Sequence, residues 1–113
     1  MNISPLLKFS AILKSIHWTT LSHAYHVELN SAYDDIDELI DELVETQIGV
    51  TNPSSYEDVK INFSIPMGKE HIVNFLESEI EIFLNSLSDY DRTIVDDVIR
   101  RVNRLMYFLR MNV

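Results

Sequence analysis

Two histidines and two carboxylates are the residues with the clearest chemical potential in this sequence: His17, His26, Asp41 and Glu45. Imidazole nitrogens and carboxylate oxygens together bind iron, zinc and manganese. Glu45 follows Asp41 by one helical turn, so both carboxylates can point at the same ion. The pattern therefore predicts a metal site that suits iron, zinc or manganese.

The spacing of these residues also predicts how many chains the site needs. His26 and Asp41 are fifteen residues apart in what we expect to be one helix. A rise of about 1.5 Å per residue separates them by ~22 Å, too far for one ion to contact both. A second copy of the chain would have to bring the carboxylates to the histidines. We therefore expect a homo-oligomer, at least a dimer and open to larger assemblies.

Three neighbouring residues are accessory candidates: Trp18, His23 and Asp37. Each of the residues named so far also has a purely structural interpretation. His17 lies on an apolar stripe, where a histidine usually belongs to the core, and Trp18 can be a packing residue. Asp41 and Glu45 can belong to a solvated acidic helix face. These alternatives stay open at the level of the sequence.

Composition limits the class of protein. The 113 residues suffice for one domain, spanning 1–113, and contain only two glycines and three prolines, so long helices are permitted. There is no cysteine, which excludes disulfides, thiolate zinc sites, iron–sulfur clusters and cysteine nucleophiles. No apolar run approaches the ~20 residues that span a bilayer, and the N-terminus lacks a signal-peptide pattern. We expect a cytoplasmic protein without a membrane partner.

Charge is distributed unevenly along the chain. The net charge is −9, with seven acids and no base between Asp34 and Glu45. Arginines concentrate near the C-terminus, at positions 92, 100, 101, 104 and 110. Nucleic-acid binding normally needs a cationic surface, so we do not expect it here. We expect the arginines to form salt bridges to the acidic helix.

Hydrophobic periodicity predicts four helices and no strands. The first begins at Ser4-Pro5 with Ser4 as N-cap, and the second runs from Ser22 or His23 to a C-cap at Gly49. A long connection over about residues 49–68 follows, with a short helical or extended piece at 56–65. The third helix covers about 69–87, and Ser88 or Asp89 caps the fourth. The expected fold is all-α, a ferritin-like four-helix bundle with one long crossover. The third helix has a wide apolar face, which predicts a subunit interface.

The region 16–49 resembles the metal-site region of the Dps proteins, the small ferritins of bacteria. The shared features are the His17-Trp18 pair, His26 and the D-x-x-x-E motif of Asp41 and Glu45. The resemblance implies Fe(II) oxidation by peroxide or oxygen, a ferroxidase activity. It also implies that His17 and His26 come from one subunit, Asp41 and Glu45 from its partner, and that Trp18 is the neighbouring aromatic.

The sequence of the same region is also similar to that of short ferritin-like proteins encoded by bacteriophages. This similarity would place the protein in a host cytoplasm. Three features depart from the Dps pattern. The spacing from His17 to His26 is about three residues shorter, the chain is shorter, and the basic tail that binds DNA is missing. The last two departures argue against a twelve-subunit cage and against DNA binding.

Two other functions are compatible with the sequence. The first is a non-enzymatic helical oligomer, a phage-type structural or inhibitory module that binds a host protein or a small molecule, with the arginines contacting phosphates. The second is a structural zinc or calcium site that holds a dimer together. Hydrolase and nucleotide-dependent functions have no motif to support them.

Overall fold

The computed structural model describes residues 3–50, 59–66 and 68–111. It contains four α-helices, α1 (Ser4–Thr19), α2 (His23–Val50), α3 (Lys69–Asn85) and α4 (Arg92–Met111). The described residues form no strand. The predicted all-α fold with four helices is therefore confirmed. Across the same residues, no helix has both the length and the apolar character that a bilayer crossing requires.

The apolar stripes predicted from the sequence form one core. Each helix contributes a row of buried side chains at three- and four-residue spacing. The rings of Phe9 and Phe83 stack between α1 and α3, with centroids 4.4 Å apart. The buried rows are Leu6, Phe9, Leu13 and Ile16 in α1, Tyr25, Leu29, Ala32, Ile36 and Leu43 in α2, Ile72, Leu76, Ile80 and Phe83 in α3, and Val95, Val98, Val102, Leu105 and Leu109 in α4.

The crossover carries the chain from one end of the bundle to the other. The Lys60 N–H donates a hydrogen bond of 3.0 Å to the Ser4 hydroxyl, at the beginning of α1. Pro66 lies beside Thr19 and Thr20, at the opposite end of α1, where they line the same cavity. The helix α3 therefore begins beside the α1–α2 turn and runs parallel to α2. This up-down-down-up connectivity is that of a ferritin-like bundle with one long crossover.

The bounds of the crossover differ slightly from the prediction. Gly49 does not cap α2, which continues through it to Val50, so the connection covers residues 51–68. The described part of it, residues 59–66, forms neither helix nor strand, although a short regular piece was predicted over 56–65. Residues 56–58 lie outside the described residues.

Helix caps also differ from the prediction in two places. The N-cap of α1 is Ile3, and Ser4 is already the first residue of the helix, with its hydroxyl accepting the hydrogen bond from the crossover. At α4, neither Ser88 nor Asp89 is the cap. The N-cap of α4 is Asp91, since its Oδ1 accepts hydrogen bonds from the N–H groups of Thr93 and Ile94 at 3.0 and 3.3 Å. The predicted start of α2 is confirmed: the Ser22 hydroxyl accepts from the Tyr25 N–H at 3.2 Å.

One late arginine joins α4 to the acidic helix as expected. Arg101 is only 6% exposed, and its Nε donates to Asp35 Oδ2 at 2.6 Å while its Nη2 lies 3.5 Å from Glu28. Three other arginines pair elsewhere, in Arg92–Asp96 and Arg100–Asp97 within α4 and in Arg110–Glu77 between α4 and α3. The expected pairing with α2 therefore holds for Arg101 alone among the described ion pairs.

Replacing Asp91 by alanine should lower the free energy of unfolding by about 1 kcal/mol, because two N–H groups at the start of α4 lose their acceptor. Urea denaturation followed by circular dichroism measures the change. Asp89→Ala is the matched control and should shift stability by less than about 0.5 kcal/mol. An equal loss in both variants would show that Asp91 does not cap the helix.

Candidate metal centre

The α1–α2 turn brings His17 and His26 into contact. Helix α1 ends at Thr19 and α2 begins at His23, so His17 lies in the last turn of one helix and His26 in the first turn of the next. Their rings stack with centroids 4.2 Å apart and planes inclined by 27°. The structure thus places side by side the two histidines predicted as ligands from one chain.

The hydrogen bond of His26 defines which ring nitrogen can bind a ligand. Its Nδ1 lies 2.9 Å from the backbone carbonyl oxygen of His17. A carbonyl oxygen only accepts, so the proton of the neutral ring is on Nδ1 and the lone pair is on Nε2. Side chains and carbonyls orient metal-binding histidines in proteins by this kind of bond. Since His26 is exposed, its Nε2 is accessible to an ion.

His17 is buried beneath His26, with 8% of its surface exposed. Its Nδ1 has no hydrogen-bond partner among the described residues. Burial lowers the pKa of His17 below its ordinary value of 6.5, and His26 and Lys14 lower it further, while Asp34 acts in the opposite direction. The ring is therefore neutral at pH 7, which is the form that binds metals.

The stacked arrangement decides how each ring can serve an ion. A histidine binds a metal through a lone pair that lies in the plane of its ring. The two planes are nearly parallel, so the lone pairs do not converge on one point. His26 is the ligand available in this arrangement, and His17 joins it only if one ring turns.

The carboxylates lie far along α2 from the histidines. Asp41 and Glu45 are both exposed. Asp37 is half-buried and accepts a hydrogen bond of 2.9 Å from the Ser10 hydroxyl. Within residues 3–50, 59–66 and 68–111, no three histidine or acidic residues are grouped so as to hold a metal ion. One chain alone does not form the site, and the contribution of a second chain stays a prediction.

The accessory candidates occupy different environments. Trp18 is 68% exposed and does not pack in the core of the chain. The Lys14 ammonium lies 5.6 Å from the Trp18 ring centroid and 4.5 Å from that of Tyr33, within the range of cation–π attraction. His23 is exposed at the start of α2. The contact between Lys14 and Trp18 was not predicted from the sequence, although a spacing of four residues places the two side chains on one face of a helix.

Comparison with known proteins places the chain in a family without assigning an activity. The sequence matches, over residues 17–109, the pattern of a family of unknown function, DUF5856, and the chain belongs to that family. None of the curated proteins matches it. No solved structure matches it either. The resemblance to Dps proteins therefore remains an expectation.

The lowered pKa of His17 predicts how stability depends on pH. The unfolded chain takes up a proton near pH 6.5 and the folded chain only at lower pH. The free energy of unfolding therefore decreases as the pH falls below about 6.5. Urea denaturation between pH of about 7.5 and about 5.5 should show this decline. His17→Gln should flatten it.

His23→Gln provides the control for this measurement, because it removes an exposed histidine at the start of α2. It should keep the pH dependence of the unmodified chain. If His17→Gln also keeps that dependence, the burial of a neutral imidazole at position 17 is contradicted.

Proposed function

We propose that the protein binds Fe(II) between two copies of the chain and oxidises or sequesters it. The observation that supports this proposal is the contact between His17 and His26. The Nδ1–H of His26 is held by a backbone carbonyl, so an imidazole nitrogen with its lone pair is presented at the protein surface. A neutral imidazole with this second bond is the arrangement that metal sites use.

Each group in the proposed site has a separate role. His26 supplies its Nε2, and His17 supplies a second imidazole after its ring turns. Asp41 and Glu45 of the other chain supply oxygen ligands and neutralise the charge of the ion. Two imidazoles and two carboxylates suit Fe(II), and also Zn(II) or Mn(II), and leave coordination positions open.

Oxidation would follow from those open positions. Each Fe(II) gives up one electron. A peroxide molecule that takes up two electrons and two protons becomes two water molecules, and dioxygen is the alternative oxidant. The Fe(III) product is a harder ion that prefers carboxylate oxygens. The exposed acids of α2 offer such oxygens along the same helix, at Asp34, Asp35, Glu38, Asp41, Glu42 and Glu45.

The alternative function is a non-enzymatic helical oligomer whose arginines bind a ligand. A cavity of about 310 Å³ between α2 and α4 is lined by Arg100, Arg101 and Arg104. The carboxylates of Asp35, Glu38 and Asp97 line the same cavity. Because the positive and negative charges balance, the cavity does not favour an anionic ligand, and we prefer the metal site.

Replacing His26 by alanine should slow ferric-ion formation by at least about 10-fold, because the exposed imidazole of the His17–His26 pair is lost. Asp41→Ala should have a similar effect. Fe(II) is added without oxygen to metal-free protein, peroxide is then admitted, and the ferric absorbance is followed over time.

His23→Ala is the matched control and should oxidise iron as fast as the unmodified chain, since His23 lies three residues from His26 and is also exposed. Oxidation at the uncatalysed rate by every form of the protein would contradict the proposed function. Oxidation that survives His26→Ala and Asp41→Ala would contradict the proposed ligands.

A further inference from the structure

One end of the bundle differs from the rest of the molecule in its surface chemistry. Helices α1 and α4 end there, and α2 and α3 begin there. We call it the histidine end, defined as residues 14–28, 69–74 and 106–111, because it contains all four histidines of the chain. The Tyr25 hydroxyl donates a hydrogen bond of 3.2 Å to the Leu109 carbonyl oxygen, which holds the end of α4 beside the start of α2.

Exposed apolar side chains concentrate at the histidine end. Among the residues that the structure describes, the five most exposed large hydrophobic side chains all belong to it. They are Leu21 at 102%, Tyr107 at 69%, Trp18 at 68%, Met111 at 67% and Val27 at 54%. Clustered exposed apolar side chains mark surfaces that meet another protein or a membrane.

Two corners of this end share one arrangement. An aliphatic side chain lies at each tip, Leu21 in the α1–α2 turn and Met111 as the last residue of α4. An aromatic side chain lies about one turn behind each tip, since Trp18 precedes Leu21 by three residues and Tyr107 precedes Met111 by four. Tryptophan and tyrosine favour the headgroup level of a membrane, while aliphatic groups favour the acyl region beyond it. Both corners therefore have the order of side chains that suits a lipid surface.

A basic side chain accompanies each aromatic residue. The Lys14 ammonium lies 5.6 Å from the Trp18 ring centroid. Arg110 is exposed and lines a groove between α3 and α4 together with Tyr107. Its ion pair with Glu77, at 3.2 Å, is exposed and therefore weak. Long basic side chains cover apolar surface with their stems and direct their charge to lipid phosphates, and each such cation strengthens binding to an anionic membrane.

Negative charge is concentrated at the opposite end of the bundle, residues 4–9, 45–50 and 80–97. Two basic residues and six acids lie there: Lys8, Arg92, Glu45, Glu81, Asp89, Asp91, Asp96 and Asp97. At the histidine end, the carboxylate that the structure describes is Glu28, which pairs with the buried Arg101. The molecule is 42 Å long, about five Debye lengths at physiological salt. The acids of the far end therefore oppose an anionic surface at the histidine end only weakly.

We propose that the histidine end docks on an anionic lipid surface, with Leu21 and Met111 inserted and Trp18 and Tyr107 at headgroup level. The two corners do not line a common groove, because Trp18 lies in a groove beside Tyr33 and Tyr107 in the one between α3 and α4. A deformable lipid surface receives both corners, whereas a folded partner would need a separate pocket for each.

Docking of this kind differs from crossing a bilayer. The expectation of no membrane partner was based on the length of apolar runs, and contact with one leaflet needs no spanning helix. The proposal also does not rest on the metal site, since none of the four docking side chains is a proposed ligand.

The single tryptophan of the chain reports the contact directly, because Trp18 lies at the proposed surface. Phosphatidylcholine vesicles with about 30% phosphatidylglycerol are added in the presence of a chelator, and pure phosphatidylcholine vesicles are the comparison. Trp18 emission should shift to shorter wavelength with the anionic vesicles. The partition coefficient should be at least about 10-fold larger than for the neutral vesicles and should fall as salt rises from about 0.1 M to about 0.5 M.

Charge substitution at the tips tests the geometry and leaves Trp18 in place. Leu21→Glu and Met111→Glu should each lower the partition coefficient by at least about 10-fold, because an inserted aliphatic group is replaced by a charge that anionic headgroups repel. Ile82→Glu is the matched control, since Ile82 is exposed but lies in the last turn of α3, at the opposite end. It should keep the partition coefficient within about twofold. Cosedimentation with vesicles measures all three.

Unchanged emission with anionic vesicles, or equal partition into neutral ones, would overturn the inference. So would binding that survives both tip substitutions, or that Ile82→Glu weakens as much as they do. Emission that shifts with protein concentration but not with vesicles would assign this end to a second copy of the chain, and would overturn it too. Vesicle binding by a protein that does not oxidise iron would support the docking surface and contradict only the proposed function.

Discussion

The register between α1 and α2 is the constraint on which the candidate site depends. Residues 20–22 connect the two helices, and the Ser22 hydroxyl caps α2 immediately after the turn. Such a short connection leaves the helices little freedom to slide. His17 consequently meets His26, and Ser10 meets Asp37 further down the same face. A shift of one turn along α2 would separate these pairs.

Burial then determines the chemistry of the pair. His17 lies against the core and is neutral, whereas His26 covers it and faces solvent. The backbone carbonyl of His17 accepts a hydrogen bond from the Nδ1–H of His26, so the unprotonated nitrogen of His26 is Nε2. The tautomer of His26 therefore depends on the backbone carbonyl at position 17, which the α1–α2 turn brings to its ring.

Much of the fold was predictable because its determinants are local. The spacing of Tyr25, Leu29, Ala32 and Ile36 predicts the buried stripe of α2, and all four are buried. Two helix caps were predicted wrongly. At α1 the helix begins at Ser4 itself, and the Ser4 hydroxyl accepts a hydrogen bond from Lys60, far away in the sequence. Asp91 rather than Asp89 caps α4, since the chain after α3 continues through a turn before the next helix begins.

The candidate residues of the site were predictable from the sequence, but the orientation of their side chains was not. The types and spacing of the histidines and acids identify candidates, but the ring planes depend on packing that spacing does not record. The exposure of Trp18 and the position of Lys14 between two aromatic rings likewise follow from the tertiary structure.

Mixing two inactive variants tests the central claim, that two chains build one site. One variant carries His26→Ala, and the other carries Asp41→Ala with Glu45→Ala. In a mixed dimer, one site receives both changes and the other receives none. After equal amounts are mixed and allowed to exchange, anaerobic Fe(II) titration should recover about a quarter of the unmodified number of sites. Recovery of no sites from mixed dimers, or full binding by either variant alone, would contradict the account.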